Sequence, residues 1–303
     1  MTVTDYRESQ VPDQTGKTVF ITGANTGIGY DTARVLAERG AKILLGCRAE
    51  AKASEAIAKI KSIKGDADVT WVPLDLASLS SVKDAAEQVN REPRLDALIN
   101  NAGVMMPPKE VTSDGFELQF GVNHLGHFAL TGHLINKLKN QPGARIVNVS
   151  SLAHRQGSIQ FDDIHSDKSY NRMQRYGMSK FANILFTYEL QRMLEAASSP
   201  AISVACHPGG SNTELGRHIP PLFSLLFIPL RLIMNSSAEG ALPTLLATTD
   251  IHVEGGDYFG PKKWGEMAHS AHKVDTIPSS KNEAVARRLW ELSTELTGVQ
   301  YTL

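Results

Sequence analysis

The sequence TVFITGANTGIG, residues 18–29, decides the fold of this chain of 303 residues. Residues 18–22 are β-branched or aromatic, which predicts a buried β-strand. Gly23, Gly27 and Gly29 then allow positive φ angles and let a phosphate group approach the backbone closely. A helix is expected to begin in this turn, and the N–H groups at its start attract anions. The order strand, glycine turn and helix favours a nucleotide-binding site over a plain glycine-rich turn.

The same alternation of strand and helix continues along the chain. Strands are predicted at residues 18–22, 42–47, 69–74, 95–100, 145–150, 202–206 and 257–260, and helices at residues 29–39, 49–63, 79–91, 120–138 and 179–197. Because right-handed crossovers place helices on both faces of a parallel sheet, this order predicts an α/β fold. We therefore expect residues 1–303 to form a single doubly wound, Rossmann-type domain with about seven parallel strands.

The composition narrows the function classes. The chain has 31 Lys+Arg against 32 Asp+Glu, a formal charge of −1, and 42% hydrophobic residues. This balance excludes a disordered chain and argues against electrostatic binding to nucleic acid. Cys47 and Cys206 both lie in apolar runs, which indicates buried thiols in a reducing compartment. Residues 1–17 lack the apolar core of a signal peptide, and no run reaches the roughly 18 apolar residues of a spanning helix. We therefore expect a cytoplasmic protein without a membrane span.

Ligands in such a sheet bind at the carboxyl ends of the strands, so the residues after each strand are the candidates. Arg48 follows the second strand directly, and no acidic residue stands at that strand end. A guanidinium can pair with a 2′-phosphate, which favours NADP over NAD, although a surface arginine is the simpler alternative. Asp75 and Leu76 follow the third strand and are candidates to contact the adenine edge. After the fourth strand comes a polar turn of small residues that a flat ring could approach, formed by Asn100, Ala102 and Gly103.

The later strands are followed by candidate catalytic residues. Ser150 and Ser151 end the fifth strand, and Tyr176 and Lys180, four residues apart, share one face of a helix. A phenol with a pKa near 10 is a poor acid–base catalyst at neutral pH. A nearby ammonium and the positive ring of an oxidised nicotinamide would favour the phenolate and lower that pKa. Tyrosine and lysine at this spacing also occur on solvated helices. The pair therefore indicates a catalytic site only together with the other motifs of the chain.

Six motifs in fixed order carry a resemblance to a known family. They are TGANTGIG at 22–29, NNAG at 100–103, GVNHLGHF at 121–128, NVSS at 148–151, YGMSK at 176–180 and HPGGSNT at 207–213. The chain resembles the short-chain dehydrogenase/reductase superfamily over residues 16–298. It looks most like the retinol dehydrogenase branch, on NNAGVMM, VNVSSLAH, FDDIHSDKSY and the late RRLWELSTELTG.

The resemblance implies a role for each matching residue. Tyr176 matches the acid–base tyrosine, Lys180 the lysine that lowers the tyrosine pKa and holds the nicotinamide ribose, and Ser151 the serine that binds the substrate carbonyl. Asn123 matches the asparagine that orders a water leading from the lysine to bulk solvent. Residues implied to contact the cofactor are Gly23, Asn25, Thr26, Gly27, Ile28 and Gly29 in the first turn, and Pro208, Gly209 and Thr213 beside the nicotinamide. The loop departs from the family at Gly210 and Ser211, where an apolar residue is more usual.

These observations predict an NADP-dependent oxidoreductase. It would transfer hydride between the nicotinamide and a carbonyl or alcohol carbon of a lipophilic substrate, such as a retinoid, a steroid or an aromatic ketone. The alternative is a non-catalytic NADP-binding sensor or scaffold, which the four matching residues Asn123, Ser151, Tyr176 and Lys180 disfavour. A sugar-nucleotide isomerase or epimerase is a third class, disfavoured by the glycine spacing. Relatives are often dimers or tetramers, so the sequence leaves the oligomeric state open.

Two further features allow more than one interpretation. The apolar stretch 219–234, IPPLFSLLFIPLRLIM, is interpreted as part of a substrate lid around residues 213–240. A proline-broken core helix and a shallow membrane contact are the alternatives. His124 and His127 could face one metal ion, but no third ligand is evident. Structural histidines are therefore favoured, together with His133, and no metal site is expected.

Overall fold

Eight strands form one sheet in the computed structural model, which describes residues 5–210 and 235–303. The sheet order is β3-β2-β1-β4-β5-β6-β7-β8. The strands are β1 Thr18–Thr22, β2 Lys42–Cys47, β3 Val69–Pro73, β4 Ala97–Asn100, β5 Arg145–Val149, β6 Ile202–Cys206, β7 Tyr258–Lys263 and β8 Ala268–Lys273. Strands β1 to β7 run parallel, and β8 pairs with β7 antiparallel. The predicted doubly wound α/β domain is confirmed.

The eighth strand is the main addition to the predicted sheet. Its sequence, AHSAHK, has no apolar run, and only Ala268 and Ala271 are buried. Since β8 lies at the edge of the sheet and buries only these small side chains, its polar residues carry no strand signal. By contrast, β1 is buried along its whole length, and its bounds match the prediction.

Helices cover both faces of the sheet. Their bounds are α1 Gly27–Glu38, α2 Glu50–Ile63, α3 Leu79–Asn90, α4 Leu118–Phe120, α5 Gly126–Leu138, α6 Arg172–Ala196, α7 Ser237–Thr249 and α8 Glu283–Thr297. One hydrophobic core lies between the sheet and α1, α2 and α7, and a second lies between the sheet and α3, α5 and α6. Helix α8 packs on the outer side of α6. The sequence did not predict α7, which contains Pro243, or α8.

The crossovers change direction at β1. That strand pairs with β2 on one side and with β4 on the other, so the connections leave it toward opposite edges of the sheet. A crevice opens at such a switch point, outside the carboxyl ends of the strands. The glycine turn after β1 and the turn after β4 both lie there.

Part of the predicted substrate region cannot be compared with the structure. Thr213, Ser211 and the stretch 219–234 lie outside the described residues, so the lid stays a prediction. Within 5–210 and 235–303, no helix combines the length and the apolar character that crossing a membrane requires.

Candidate active site

The glycine turn between β1 and α1 is shaped to hold a phosphate group. Gly23 and Gly27 have φ angles of +67° and +57°, which side-chain-bearing residues rarely adopt. A Cβ on Gly29 would lie 2.5 Å from the Asn101 Nδ2 atom. Thr26 is the N-cap of α1, but its side chain makes no capping hydrogen bond, and the first turn carries no acidic residue. The N–H groups at the start of α1 are therefore available to an anion, which fits the pyrophosphate of a dinucleotide.

The remaining predicted residues of this turn sit at its mouth or beneath it. Asn25 and Thr26 are partly exposed to the crevice, whereas Ile28 is buried in the core under the turn. The turn thus offers polar groups to a ligand on one side and anchors itself with an apolar side chain on the other.

The turn after β4 is fastened to the end of β1 by residues that the sequence analysis did not single out. Thr22 Oγ1 accepts hydrogen bonds from the Asn101 and Ala102 N–H groups at 3.0 and 2.9 Å. Asn101 Nδ2 donates to the Thr22 carbonyl at 2.8 Å. The sequence feature that could have predicted this role is the second asparagine of the motif NNAG, which is Asn101. Ala102 also packs against Gly23, where a Cβ would lie 3.0 Å from the Ala102 Cα.

Asn100, by contrast, points into the fold. It is buried, and its amide nitrogen donates to Asn148 Oδ1 at 2.8 Å and to Thr131 Oγ1 at 3.1 Å. The side-chain amide therefore ties β4 to β5 and α5. Contact between Asn100 and a cofactor stays a prediction.

The ends of β2 and β3 line the side of the crevice expected to hold the adenosine half. Arg48 is exposed, and no carboxylate in the described parts of the chain pairs with its guanidinium. Asp75 is partly exposed; its Oδ1 atom accepts from the Ala77 N–H at 3.0 Å, which leaves Oδ2 for another donor. Leu76 is buried against α5, where a Cβ on Gly126 would lie 2.6 Å from the Leu76 carbonyl oxygen.

The two serines after β5 have different surroundings. Ser150 is buried, and its hydroxyl donates to the Lys180 carbonyl at 2.8 Å. Ser151 is partly exposed and caps a short 3₁₀ helix, Leu152–Gln156, through a hydrogen bond that its Oγ accepts from the Ala153 N–H at 3.2 Å. Because that contact uses only an acceptor lone pair, the Ser151 hydroxyl can still donate to a substrate oxygen.

Helix α6 carries Tyr176 and Lys180 to the same place. The Lys180 Nζ atom lies 5.9 Å from the centre of the Tyr176 ring and donates to the Val149 carbonyl at 3.0 Å. Close packing of Gly157 on α6, with a Cβ position 2.6 Å from the Phe181 Cβ, brings the Ser151 segment against this helix.

Burial dominates the electrostatics of this pair. It raises the pKa of the Tyr176 phenol, a shift that a hydrogen bond with Ser151 opposes, and it lowers the pKa of Lys180 to about 8. In the chain without a cofactor, the pKa of Tyr176 is therefore raised and not lowered as expected. A buried phenolate loses more hydration than Ser151 restores.

Asn123 lies in a helical turn of unusual geometry. A π-helical turn, Gly121–Leu125, interrupts the predicted continuous helix between α4 and α5. Asn123 Nδ2 donates to Ser179 Oγ and to the Val104 carbonyl, both at 2.9 Å, and Oδ1 accepts from the Val104 N–H at 2.8 Å. These bonds join the turn after β4 to α6. Such turns are often found at functional sites.

Gly103 keeps the space between Asn123 and Lys180 open. A Cβ on Gly103 would lie 3.1 Å from Asn123 Oδ1 and 3.5 Å from Lys180 Nζ. The buried lysine has donors left beyond its bond to Val149, since an ammonium carries three. This cradle fits the nicotinamide ribose of a dinucleotide.

The two buried histidines of the motif GVNHLGHF have hydrogen-bond partners within the fold. His127 bridges Thr22 Oγ1, at 2.8 Å, and the Asn123 carbonyl, at 3.1 Å. His124 contacts Ser293 Oγ at 2.9 Å. Burial lowers the pKa of each imidazole to about 3, so both are neutral. In the described parts of the chain, no three His, Cys, Asp or Glu side chains are placed to hold a metal ion.

The loop after β6 lies beside the segment of Ser151, because β5 and β6 are neighbouring strands with Val149 opposite Cys206. Gly209 has a φ angle of +70°, and a Cβ there would lie 2.5 Å from the Met267 carbonyl oxygen. The Gly210 N–H donates to that carbonyl at 2.9 Å, and Asn235 Nδ2 donates to the Pro208 carbonyl at 3.3 Å. The loop is thus held by the hairpin of β7 and β8 and by Asn235, two residues before α7.

Several known proteins are similar to this chain in sequence and in fold. Residues 17–221 match the family of short chain dehydrogenases. Human retinol dehydrogenase 14 is 42% identical over 306 aligned residues, which cover 94% of this chain and 87% of that protein. Human retinol dehydrogenase 13 is 43% identical over 300 residues, covering 94% and 86%. The crystal structure of an uncharacterized protein from Mycobacterium paratuberculosis superposes with a TM-score of 0.83 at 36% identity, covering 99% of this chain and 100% of that one.

Proposed function

The chain belongs to the short-chain dehydrogenase/reductase family, and from this premise we propose that it is an NADP-dependent oxidoreductase of lipophilic alcohols and carbonyl compounds. One observation carries the proposal. The Tyr176 phenol, the Ser151 hydroxyl and the Lys180 ammonium converge at the carboxyl end of the sheet, in the crevice that also holds the glycine turn. A proton donor, a hydrogen-bond donor for a developing oxyanion and an ammonium that can hold the cofactor ribose therefore face one space.

The chemical step divides between the cofactor and the chain. When bound, the nicotinamide supplies or accepts the hydride. In the reductive direction, Tyr176 gives its proton to the carbonyl oxygen of the substrate. Ser151 donates a hydrogen bond to the same oxygen and stabilises negative charge where it develops. In the oxidative direction, Tyr176 takes the alcohol proton.

Lys180 keeps the tyrosine ready for this proton transfer. Its ammonium lies over the Tyr176 ring, and its bond to Val149 fixes it there. General acid–base catalysis is most efficient when the pKa of the group is near the working pH. We assign the required lowering of the Tyr176 pKa to Lys180 together with the positive charge of the oxidised nicotinamide ring, which opposes the effect of burial.

The preference for NADP rests on Arg48. Its exposed guanidinium follows β2, where an acidic residue would instead receive the ribose hydroxyl of NAD. The 2′-phosphate of NADPH can accept two hydrogen bonds from one guanidinium. NADH has no 2′-phosphate and cannot form this pair.

The lipophilic substrate is inferred from two features. The stretch 219–234 is strongly apolar and directly follows the loop beside the nicotinamide. The relatives described above are named retinol dehydrogenases, after a lipophilic alcohol. Retinoids, steroids and aromatic ketones are the substrate classes that we propose.

A substrate panel tests the proposal. The purified chain is assayed with NADPH and with NADH against all-trans-retinal, a steroid ketone, an aromatic ketone, an aliphatic aldehyde and a small hydrophilic ketone. We expect NADPH-dependent turnover of one or more lipophilic compounds. Turnover of the hydrophilic ketone alone would contradict the substrate class. Tight NADPH binding without turnover of any compound would favour the sensor or scaffold alternative.

A further inference from the structure

We propose that Glu266, in the hairpin between β7 and β8, is a positioning residue that holds the two sides of the candidate active site at a fixed spacing. One side is the Ser151 segment, and the other is the loop 208–210. The inference rests on the proposed function, because its importance lies in aligning a substrate with the nicotinamide. Glu266 lies outside the family motifs of the chain.

The two carboxylate oxygens of Glu266 bind different parts of the site. Oε1 accepts a hydrogen bond from Arg155 Nη2 at 2.6 Å, and Oε2 accepts one from His207 Nε2 at 3.0 Å. Arg155 lies in the 3₁₀ helix that Ser151 caps. His207 directly precedes Pro208. A single side chain thus links the segment that binds the substrate oxygen to the loop expected beside the nicotinamide.

His207 transmits the contact to the loop. It is fully buried, and its Nδ1 atom accepts from the Gly209 N–H at 3.2 Å. The other nitrogen, Nε2, must therefore carry the hydrogen and donate it to Glu266. Gly260 of β7 makes room for the ring, because a Cβ there would lie 2.7 Å from the His207 Cε1 atom.

The charge states of His207 and Glu266 suit this arrangement. Burial lowers the pKa of His207, which keeps the imidazole neutral. Burial opposes ionisation of Glu266, but hydrogen bonds from His207 and Arg155 outweigh it and lower the pKa of the carboxyl. The Glu266 carboxylate therefore makes charge-assisted hydrogen bonds, which are stronger than neutral ones.

The backbone of the hairpin is also shaped for this contact. Trp264, Gly265 and Glu266 have successive φ angles of +53°, +66° and +67°. Trp264 and Glu266 rarely adopt such angles, and strain of this kind persists where the surrounding structure enforces it. Gly209 approaches this turn closely, since a Cβ there would lie 2.9 Å from the Glu266 carbonyl oxygen.

Loss of Glu266 should affect chemistry more than cofactor binding. A displacement of about 1 Å between reacting groups can reduce a rate by about a hundredfold. Among the described residues, no hydrogen bond or ion pair joins the hairpin to the glycine turn or Arg48, which are expected to hold most of the cofactor. A merely structural residue would lower both properties together, whereas a positioning residue would separate them.

Glu266→Ala is the test variant, and Glu92→Ala is its matched control. Glu92 also pairs with one cation, Lys42, at 2.7 Å, and its side chain is 18% exposed against 21% for Glu266. For Glu266→Ala we expect kcat to fall about tenfold or more while the Kd for NADPH stays within about threefold. Glu92→Ala should match the wild type in both. Glu266→Gln, which keeps one acceptor oxygen, should recover part of the lost kcat.

Hydrogen exchange provides a readout that does not depend on turnover. We expect the amides of residues 207–210 to exchange faster in Glu266→Ala than in Glu92→Ala or the wild type. Arg155→Ala, a change at an exposed side chain, should also lower kcat, and adding it to Glu266→Ala should cause little further loss. If Glu266→Ala does not fold, Arg155→Ala and Glu266→Gln decide the outcome by the same measurements.

The results separate this inference from the proposed function. Unchanged kcat and unchanged exchange in these variants would overturn the role of Glu266 even in an active enzyme. A wild-type chain without turnover would instead refute the proposed function, and faster exchange in the variants would still support Glu266 as the link between the two segments.

Discussion

Burial and a hydrogen bond with Ser151 act in opposite directions on the pKa of the Tyr176 phenol. Its burial raises the pKa, and Lys180, whose own pKa is lowered to about 8 by burial, lies over the ring. The neighbouring residues Ser150 and Ser151 use their hydroxyl groups differently. Ser150 donates its hydroxyl hydrogen to the Lys180 carbonyl of α6, whereas the Ser151 hydroxyl lies within hydrogen-bond reach of Tyr176.

Replacing Tyr176 with phenylalanine removes the proton donor and little else. The Tyr176→Phe variant should lose at least about 100-fold in kcat, since general acid–base catalysis contributes on the order of 10²–10⁴. NADPH binding, measured by titration of cofactor fluorescence, should stay close to that of the wild type. Turnover near the wild-type rate would refute the assignment of Tyr176.

The cofactor preference depends on a different single residue. Arg48→Ala removes the proposed partner of the 2′-phosphate, so the KM for NADPH should rise about tenfold or more, in line with about 1.5–3 kcal/mol for a charged hydrogen bond. The KM for NADH should change little. Steady-state kinetics with both cofactors measure the ratio of the two KM values. An equal change in the KM for NADPH and for NADH would contradict the role of Arg48.

At the scale of elements, the helical stretch from α4 to α5 combines a site residue with a buried histidine cluster. The π-helical turn presents Asn123 toward α6. His124 in the same turn packs against Phe120, with ring centres 5.1 Å apart, and contacts Ser293 of α8. The stretch therefore links the candidate active site to α8.

The buried histidine should make stability depend on pH. The folded-state pKa of His124 is about 3, against its usual 6.5. As the pH falls below about 6.5, the unfolded chain takes up a proton that the folded chain excludes, so the free energy of unfolding decreases. Each such histidine contributes a slope of up to about 1.4 kcal/mol per pH unit.

His124→Phe removes one of these titrations. Ser293 keeps a partner because its hydroxyl donates to the Leu289 carbonyl at 2.8 Å. We expect similar stability to the wild type at pH 7 and a shallower loss between pH 6 and pH 4, by up to about 1.4 kcal/mol per pH unit. Urea unfolding at several pH values measures the slope, and parallel curves for both proteins would contradict the prediction.

At the scale of the whole molecule, the end of the chain closes one side of the fold. Tyr301 packs against Trp290 of α8 and Phe128 of α5, with ring centres 4.6 and 5.0 Å away, and its hydroxyl donates to the Phe128 carbonyl at 2.7 Å. Gly132 of α5 leaves room for the tail, because a Cβ there would lie 2.8 Å from the Tyr301 Cε2 atom.

Truncation of this side chain should destabilise the protein without changing its chemistry. Tyr301→Ala should lower the free energy of unfolding by about 2–3 kcal/mol, since a large side chain is lost from a packed cluster. Tyr301→Phe, which removes only the hydroxyl, should lower it by about 1 kcal/mol. Denaturant unfolding gives both values. Equal losses in the two variants would mean that the hydrogen bond, and not ring packing, holds the tail.

Much of this arrangement follows from local sequence. The bounds of β1, β2 and β6 were predicted from apolar runs, and the roles of Tyr176, Lys180 and Ser151 were predicted from the resemblance of their motifs to a known family. Helix α6 begins at Arg172 and not at residue 179, because Asn171 caps it through a bond to the Gln174 N–H. The cap is formed by a polar residue, so a search for apolar periodicity does not detect this start of the helix.

The sequence by itself determined the alternation of strands and helices and the glycine turn, because each depends on residues close together in the chain, and its family motifs predicted the candidate catalytic residues. Only the tertiary structure decided the antiparallel strand β8, the π-helical turn at Asn123 and the link from Arg155 through Glu266 to His207. These features join segments distant in sequence. The pKa of Tyr176 belongs with them, since burial is a sum over side chains contributed by the whole fold.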